Sequence, residues 1–497
     1  MTRTTKGASR LSAPARPTDS PVSAPVEDYK GSARPLVVLC AVGVALRFLF
    51  LCLAGDLEFQ SDEANYVYLA VSWNHFGFYS DSYRYLWPPG YPFFLAVCLD
   101  GFEMGGLFVA KLLQVLASAS IGFTTMLFAR RLYGGRTALV AGAIWCGYLP
   151  LIGFTHYFWS ETLFLALFLP ALYQVLVVLQ ADGGARDGRI LLAGLLLAGA
   201  LFVKEMPLYL APLLALLLAV FPTGLARIEG LRRASLFLLA IAVPILPWTL
   251  RNAEVYGRFV PLGASLGENA HGGLNAPYKN FDLTAYGRHL FLEESPETLA
   301  RPWFVAADPD GEWARAEHIR NTPDRLAENQ RRGLAYAAEH PGWLFRSRIK
   351  KLADLVAPAS FFVRHQGIGR YEESVLGQLS VRRALVSLAM LSPVILLLLA
   401  AGGWFGTRMD RTSRWLLGTV LGYVALTSLL VSMSRFRIPM VPFLIVLAAG
   451  FATRGGRAGG RRALFSIAAA WAVLACLWWV DLPETLAVIR YAWGGAS

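Results

Sequence analysis

Apolar residues in this chain fall in unbroken blocks rather than at the spacing of an amphipathic helix. Ile190 to Val203 reads ILLAGLLLAGALFV, and Ala384 to Phe405 is nearly as continuous. A helix without a polar stripe has no face to give to water, so lipid is the solvent these blocks imply. Taking apolar runs of about 15–23 residues as spans gives about eleven helices. They lie at 35–54, 107–129, 137–153, 160–180, 190–203, 207–221, 234–250, 384–404, 415–432, 437–452 and 463–480. Pro170, Pro212 and Pro244 inside them are tolerable in a bilayer, where neighbouring groups re-satisfy the freed backbone. The pattern predicts an all-α polytopic membrane protein.

The polar residues between the blocks set the orientation. Arg130, Arg131 and Arg136, then Arg186 and Arg189, then Arg227, Arg232 and Arg233 fall on one side. Arg408, Arg411 and Arg414 join them, followed by Arg454, Arg457, Arg461 and Arg462. That side is expected to be the cytoplasm. Composition agrees with the class, since only 16% of the residues are charged where a soluble chain needs about a quarter. The formal charge of +12 sits in these short loop clusters, which argues against a nucleic-acid partner.

Residues 1–34, rich in Ser, Pro, Ala and Arg, have no apolar core and read as a disordered cytoplasmic tail rather than a signal peptide. Two segments on the opposite side exceed the length of connectors, 55–106 and 252–383. The organisation expected is a tail (1–34), an N-terminal transmembrane catalytic module (35–251) that includes outer loop 55–106, an extracytoplasmic region (252–383) and a C-terminal transmembrane module (384–497). Within the first loop, Glu63 to Phe76 reads as an interfacial helix with Tyr66, Leu69, Ala70 and Trp73 on one face. Within the second, Arg331 to Lys351 reads as helix broken at Pro341. The five cysteines lie in or beside apolar segments without metal-ligand spacing and read as small core residues.

The candidate chemistry gathers on the extracytoplasmic side. Asp62-Glu63 follows the first span at the start of the interfacial helix. Ser61 or Asp62 would serve there as a helix cap, and an acid at a helix N-terminus is stabilised without any function. A catalytic carboxylate is the equal alternative. Tyr85-Leu-Trp-Pro-Pro-Gly-Tyr-Pro92 is a stiff aromatic turn that also suits a membrane-surface belt. Glu161 opens the fourth helix, Lys204-Glu205 sits in a tight turn, and Arg435 and Arg437 flank Phe436. Each reads alone as a capping or snorkelling residue, yet ionisable groups so near a bilayer are costly and commonly functional. Carboxylates beside cations suit a reaction on a lipid phosphate: cations hold the leaving group and a carboxylate deprotonates the acceptor. The stretch from Pro247-Trp-Thr-Leu-Arg-Asn252 through Gly257-Arg-Phe-Val-Pro261 to His271 is either a sugar-facing loop or loop punctuation, and a lone His271 makes no metal site.

In this order, Asp-Glu, Trp-Pro-Pro-Gly-Tyr-Pro, Ser-Glu-Thr-Leu-Phe, the lone lysine, Pro-Trp-Thr-Leu-Arg-Asn and Ser-Arg-Phe-Arg-Ile-Pro resemble the GT-C superfamily of membrane glycosyltransferases. The likeness is to its family 39 branch of protein O-mannosyltransferases and lipid A aminoarabinose transferases, over roughly residues 35–455. It implies the GT-C fold, a polyprenyl-phosphate-linked sugar as donor, and an inverting transfer to a lipid, glycan or protein acceptor. Asp62 would be the general base and Glu63 its substitute. Glu161, Lys204, Arg435, Arg437, Arg84 and His271 would face sugar or phosphate. The likeness fixes no cofactor, and a divalent cation stays open. The chain has nothing the size of the large lumenal domains of protein O-mannosyltransferases. The competing reading is a transporter or flippase for a polyprenyl-linked or amphipathic substrate, which would concentrate ionisable residues at the bilayer midplane.

Overall fold

The computed structural model describes residues 33–494 except 56, 61, 78, 80–86, 103–104, 182–186, 222–226, 264–322, 431–433 and 456–459. Residues 1–32 of the expected 1–34 tail, with Ser61, Arg84 and His271, lie outside the described residues, and Arg34 already begins the first helix. Among the described residues every regular element is helical. In chain order the α-helices are α1 (Arg34–Ala54), α2 (Asp62–Phe76), α3 (Gly90–Phe102), α4 (Gly106–Tyr133), α5 (Gly135–Gly147) and α6 (Leu149–Phe154). Then come α7 (Glu161–Leu179), α8 (Asp187–Val203), α9 (Leu210–Val220) and α10 (Arg227–Tyr256). After the undescribed stretch follow α11 (Pro323–Glu339), α12 (Pro341–Val356) and α13 (Phe361–Gly367). The last four are α14 (Leu379–Gly406), α15 (Arg411–Ser428), α16 (Val441–Arg454) and α17 (Arg461–Gly494).

Among the described residues each of the eleven expected apolar segments contains helix, and seven helical segments are long and apolar enough to cross a membrane. Of the other four expected spans, three fall on helices of 17 residues or fewer, and the fourth on the 18-residue α15, which has Arg411 and Arg414 in its first turn. The 17 residues of α8 reach about 25 Å at 1.5 Å per residue, against a hydrocarbon core of roughly 30 Å. The expected span 137–153 is divided at Tyr148, whose backbone is extended, because Pro150 lacks the N–H that an unbroken helix would use. Pro207 and Pro439 likewise mark 3-10 turns, Met206–Tyr209 and Ser434–Met440, in front of α9 and α16. The two turns put a lysine and an arginine close to the ends of apolar helices. The break foreseen at Pro341 is present, with His340 between α11 and α12.

The helix α4 lies at the centre, packed against α1, α3, α5, α7 and α16. Sequence-distant halves therefore share one core. The α2 helix buries Tyr66, Leu69 and Ala70 as its apolar face predicts, and also Glu63, Asn65, Val67 and Ser72. It is clasped against α3 and the body of the protein, so its N-terminal acids are presented to side chains of other helices. Among the cysteines, all five are free, with Cys40, Cys98 and Cys146 buried.

Candidate functional site

Four of the residues foreseen from sequence meet in one ionic cluster. Arg435 is the hub: its Nη1 donates to Asp62 Oδ2 at 2.5 Å and its Nε donates to Glu161 Oε1 at 2.7 Å. Lys204 Nζ donates to the same Glu161 oxygen at 2.8 Å. The guanidinium also lies 4.5 Å over the ring of Trp159, which fixes its plane by cation–π attraction. The local structure explains each placement. Asp62 and Glu161 open α2 and α7, where the helix dipole favours a negative charge. Lys204 follows the end of α8, and Arg435 rides the proline-containing 3-10 turn before α16. Burial pushes the Lys204 amine below the usual lysine range, while the Glu161 carboxylate pulls it back up.

The two acids of the pair have different surroundings. The side chain of Asp62 is 22% exposed, and among the described residues only its Oδ2 is engaged. Glu63 is fully enclosed, and both of its oxygens are taken. Its Oε1 accepts from the Phe158 N–H and its Oε2 from the Gln60 N–H, each at 2.8 Å, and Arg370 Nη2 stands 2.6 Å from Oε2. Ser61 being outside the described residues, its expected cap role has no observed counterpart. The reach of Glu63 back to Gln60 is nonetheless a capping interaction at the start of α2.

The Trp-Pro-Pro-Gly-Tyr-Pro motif lies beneath this pair. Trp87 stacks on Tyr66 with ring centroids 4.1 Å apart, and Tyr91 meets Tyr66 edge-on at 4.8 Å. Tyr91 donates to Gln114 Oε1, and Gln114 Nε2 donates to the Tyr157 and Thr155 carbonyls. The motif is therefore a buried floor rather than a surface belt. Gly90 is required sterically, because a Cβ there would stand 2.7 Å from the Phe202 carbonyl oxygen. That close approach of α3 to the end of α8 sets the height of Lys204.

Other foreseen residues go elsewhere. Arg437, buried, donates to the carbonyls of Ala357 at 2.5 Å and Leu355 at 3.4 Å, and so anchors the end of α12 rather than joining the cluster. In Pro-Trp-Thr-Leu-Arg-Asn, Trp248 Nε1 donates to Leu262 O, Thr249 to Pro261 O, and Asn252 Nδ2 to Val260 O and Leu262 O. These bonds fold Gly257-Arg-Phe-Val-Pro261 back onto α10, with Gly257 at φ 63°, which is the punctuation alternative. Arg370, Tyr157 and Trp159 carry no sequence signal beyond residue type. Arg370 in particular is one arginine among many, next to a glycine in a loop.

As to metals, the acidic group among the described residues whose oxygens approach within 4.8 Å of one another is Asp354, Asp481 and Glu484. It is already offset: Lys350 pairs with Glu484, and Lys351 and Arg364 act on Asp354. In the ionic cluster, Asp62, Glu63 and Glu161 each face an arginine or lysine instead of one another.

No family profile and no curated protein matches the chain. Among solved structures it is similar to ArnT from Cupriavidus metallidurans bound to undecaprenyl phosphate, at 16% identity and a TM-score of 0.38, over 86% of this chain and 78% of that one. It is also similar to the oligosaccharyltransferase of Archaeoglobus fulgidus tethered to an acceptor peptide, at 13% identity and a TM-score of 0.48, over 93% of this chain and 55% of that one. The same archaeal enzyme in complex with an inhibitory peptide and a dolichol-phosphate gives 14% identity and a TM-score of 0.45 over 91% and 55%. This chain thus spans about half the length of the archaeal one. These neighbours are GT-C-fold glycosyltransferases. At such identities and TM-scores the likeness assigns no residue a role.

Proposed function

We propose that the protein is a membrane glycosyltransferase that moves a sugar from a polyprenyl-phosphate donor to an acceptor hydroxyl or amine at the extracytoplasmic face, with inversion and with Asp62 as general base. The observation that carries this reading is the Asp62–Arg435–Glu161–Lys204 cluster, which combines one solvent-reaching carboxylate with two cations. In the reaction the acceptor oxygen or nitrogen forms a bond to the sugar C1 while the bond from C1 to the phosphate oxygen breaks. The bonding pair leaves with polyprenyl phosphate, and the acceptor proton passes to Asp62, whose Oδ1 is unengaged among the described residues. Arg435 and Lys204 offset the charge that grows on the phosphate. Glu161 holds both cations in place, and its second oxygen, buried and without a partner among the described residues, suits a sugar hydroxyl.

The test is release of polyprenyl phosphate by purified protein offered polyprenyl-phosphate mannose and polyprenyl-phosphate aminoarabinose. Asp62→Asn is expected to lower kcat by roughly 100-fold or more, the usual range for loss of general-base catalysis. Wild-type turnover by that variant would remove Asp62 from the mechanism. Movement of an intact donor across vesicles without release of polyprenyl phosphate would favour the transporter reading.

A further inference from the structure

Behind the ionic cluster lies a second set of buried polar groups with no contact to the proposed substrates. Its centre is Arg370, whose side chain is 1% exposed and paired with the wholly enclosed Glu63. The guanidinium stands 4.7 Å over the ring of Tyr157, and its Nη1 donates to His365 Nδ1 at 3.3 Å. Burial works against charge on Arg370, but Glu63 together with Tyr157 and Tyr371 outweighs it and raises the arginine above its ordinary value. Tyr157 and Tyr371 join through their hydroxyls at 2.7 Å, and the His365 ring packs edge-on against Tyr157 at 4.4 Å. These contacts bind the segment after α13 to the loop before α7.

The two sets share two short pieces of backbone. Asp62 and Glu63 are neighbours on α2, and Phe158, Trp159 and Glu161 follow one another in the loop and first turn of α7. Glu63 accepts from the Phe158 N–H, and the next residue, Trp159, lies against the Arg435 guanidinium. A shift of Glu63 therefore moves Asp62 along its own helix and Trp159 along its loop at once. We infer that Arg370 is a positioning residue that, by clamping Glu63, holds Asp62 in register with the Arg435–Glu161–Lys204 cations. It touches no reacting atom. This inference rests on the transferase reading above, since register matters only if Asp62 acts on a bound donor and acceptor.

Such a role has a kinetic signature. A displacement of about 1 Å in a catalytic group costs on the order of 100-fold in rate. The donor phosphate is held by cations that Arg370 does not contact, so donor binding should persist. Arg370→Ala is expected to lower kcat 10- to 100-fold while KM for polyprenyl-phosphate mannose stays within threefold. Arg370→Lys, which retains the charge and loses the fork, should recover part of the loss. Glu63→Gln should resemble Arg370→Ala, and the double variant should be no worse than either single one, because both break the same link. Should Arg370→Ala fail to fold, Arg370→Lys and Glu63→Gln carry the same comparison. Wild-type kcat in the folded Arg370 and Glu63 variants, alongside an inactive Asp62→Asn, would overturn the positioning role and leave the transferase reading intact. Equal losses in kcat/KM through KM alone would also overturn it. Full turnover by Asp62→Asn would instead sink the transferase reading.

Discussion

At the scale of single residues, two adjacent acids of similar chemistry are separated by their surroundings. Asp62 keeps contact with solvent and one engaged oxygen, whereas Glu63 is enclosed and saturated by two N–H groups and Arg370. Sequence could place both acids beside a helix start but could not divide them, because the dividing partners lie almost 100 and 300 residues away along the chain at Phe158 and Arg370. Glu161 is the remaining acid of the cluster, 2% exposed and shared by two cations. Removing one partner of a buried ion pair costs about 3 kcal/mol, since the charges left behind stay desolvated. Glu161→Ala is thus expected to lower the thermal midpoint in detergent by several degrees. Glu161→Gln, which can still accept a hydrogen bond, should lower it less. Thermal denaturation of the two variants side by side checks the order. Arg435 and Arg437 both flank Phe436, but on the 3-10 turn they reach different partners, one ionic and one backbone, a division that residue type and spacing do not carry.

At the scale of elements, short motifs act by setting distances between helices. The Gly90 contact with Phe202 joins the start of α3 to the end of α8. Gly90→Val would force these helices apart and carry Lys204 away from Glu161. If Lys204 faces the donor phosphate as proposed, the expected result is a donor KM raised several-fold or more, read by steady-state kinetics. The contact between α12 and α17 carries a different dependence. Asp354, Asp481 and Glu484 come together there with Lys350, Lys351 and Arg364 around them. Burial pushes the Asp354 carboxyl up to about 7, with Lys350 pulling it down and Asp481 pushing it up. Its value in an unfolded segment is about 4, so the packed state holds a proton that the loosened state releases. Stability of the contact therefore falls as pH rises from about 4 to 7. Amide exchange in α12, corrected for intrinsic rates, should be faster at pH 8 than at pH 5.5, and Asp354→Asn should flatten the difference.

At the scale of the whole molecule, each of the seven long apolar helices among the described residues falls on an apolar block, because a lipid-facing helix announces itself in composition. Two runs are divided near prolines 150 and 207, by an extended residue at Tyr148 and a 3-10 turn at Met206–Tyr209. What composition could not carry was pairing between helices, and the cluster depends on that alone. Its members come from positions 62, 161, 204 and 435, so the last of them is added when most of the polypeptide has been made. Until Arg435 arrives, Asp62 has none of its observed cationic contact, and Glu161 has only Lys204. A chain made only as far as α15 has Asp62 and Glu161 without the arginine that joins them. On the transferase reading proposed above, the ionic cluster would be complete only once the segment carrying Arg435 has joined the helices that precede it.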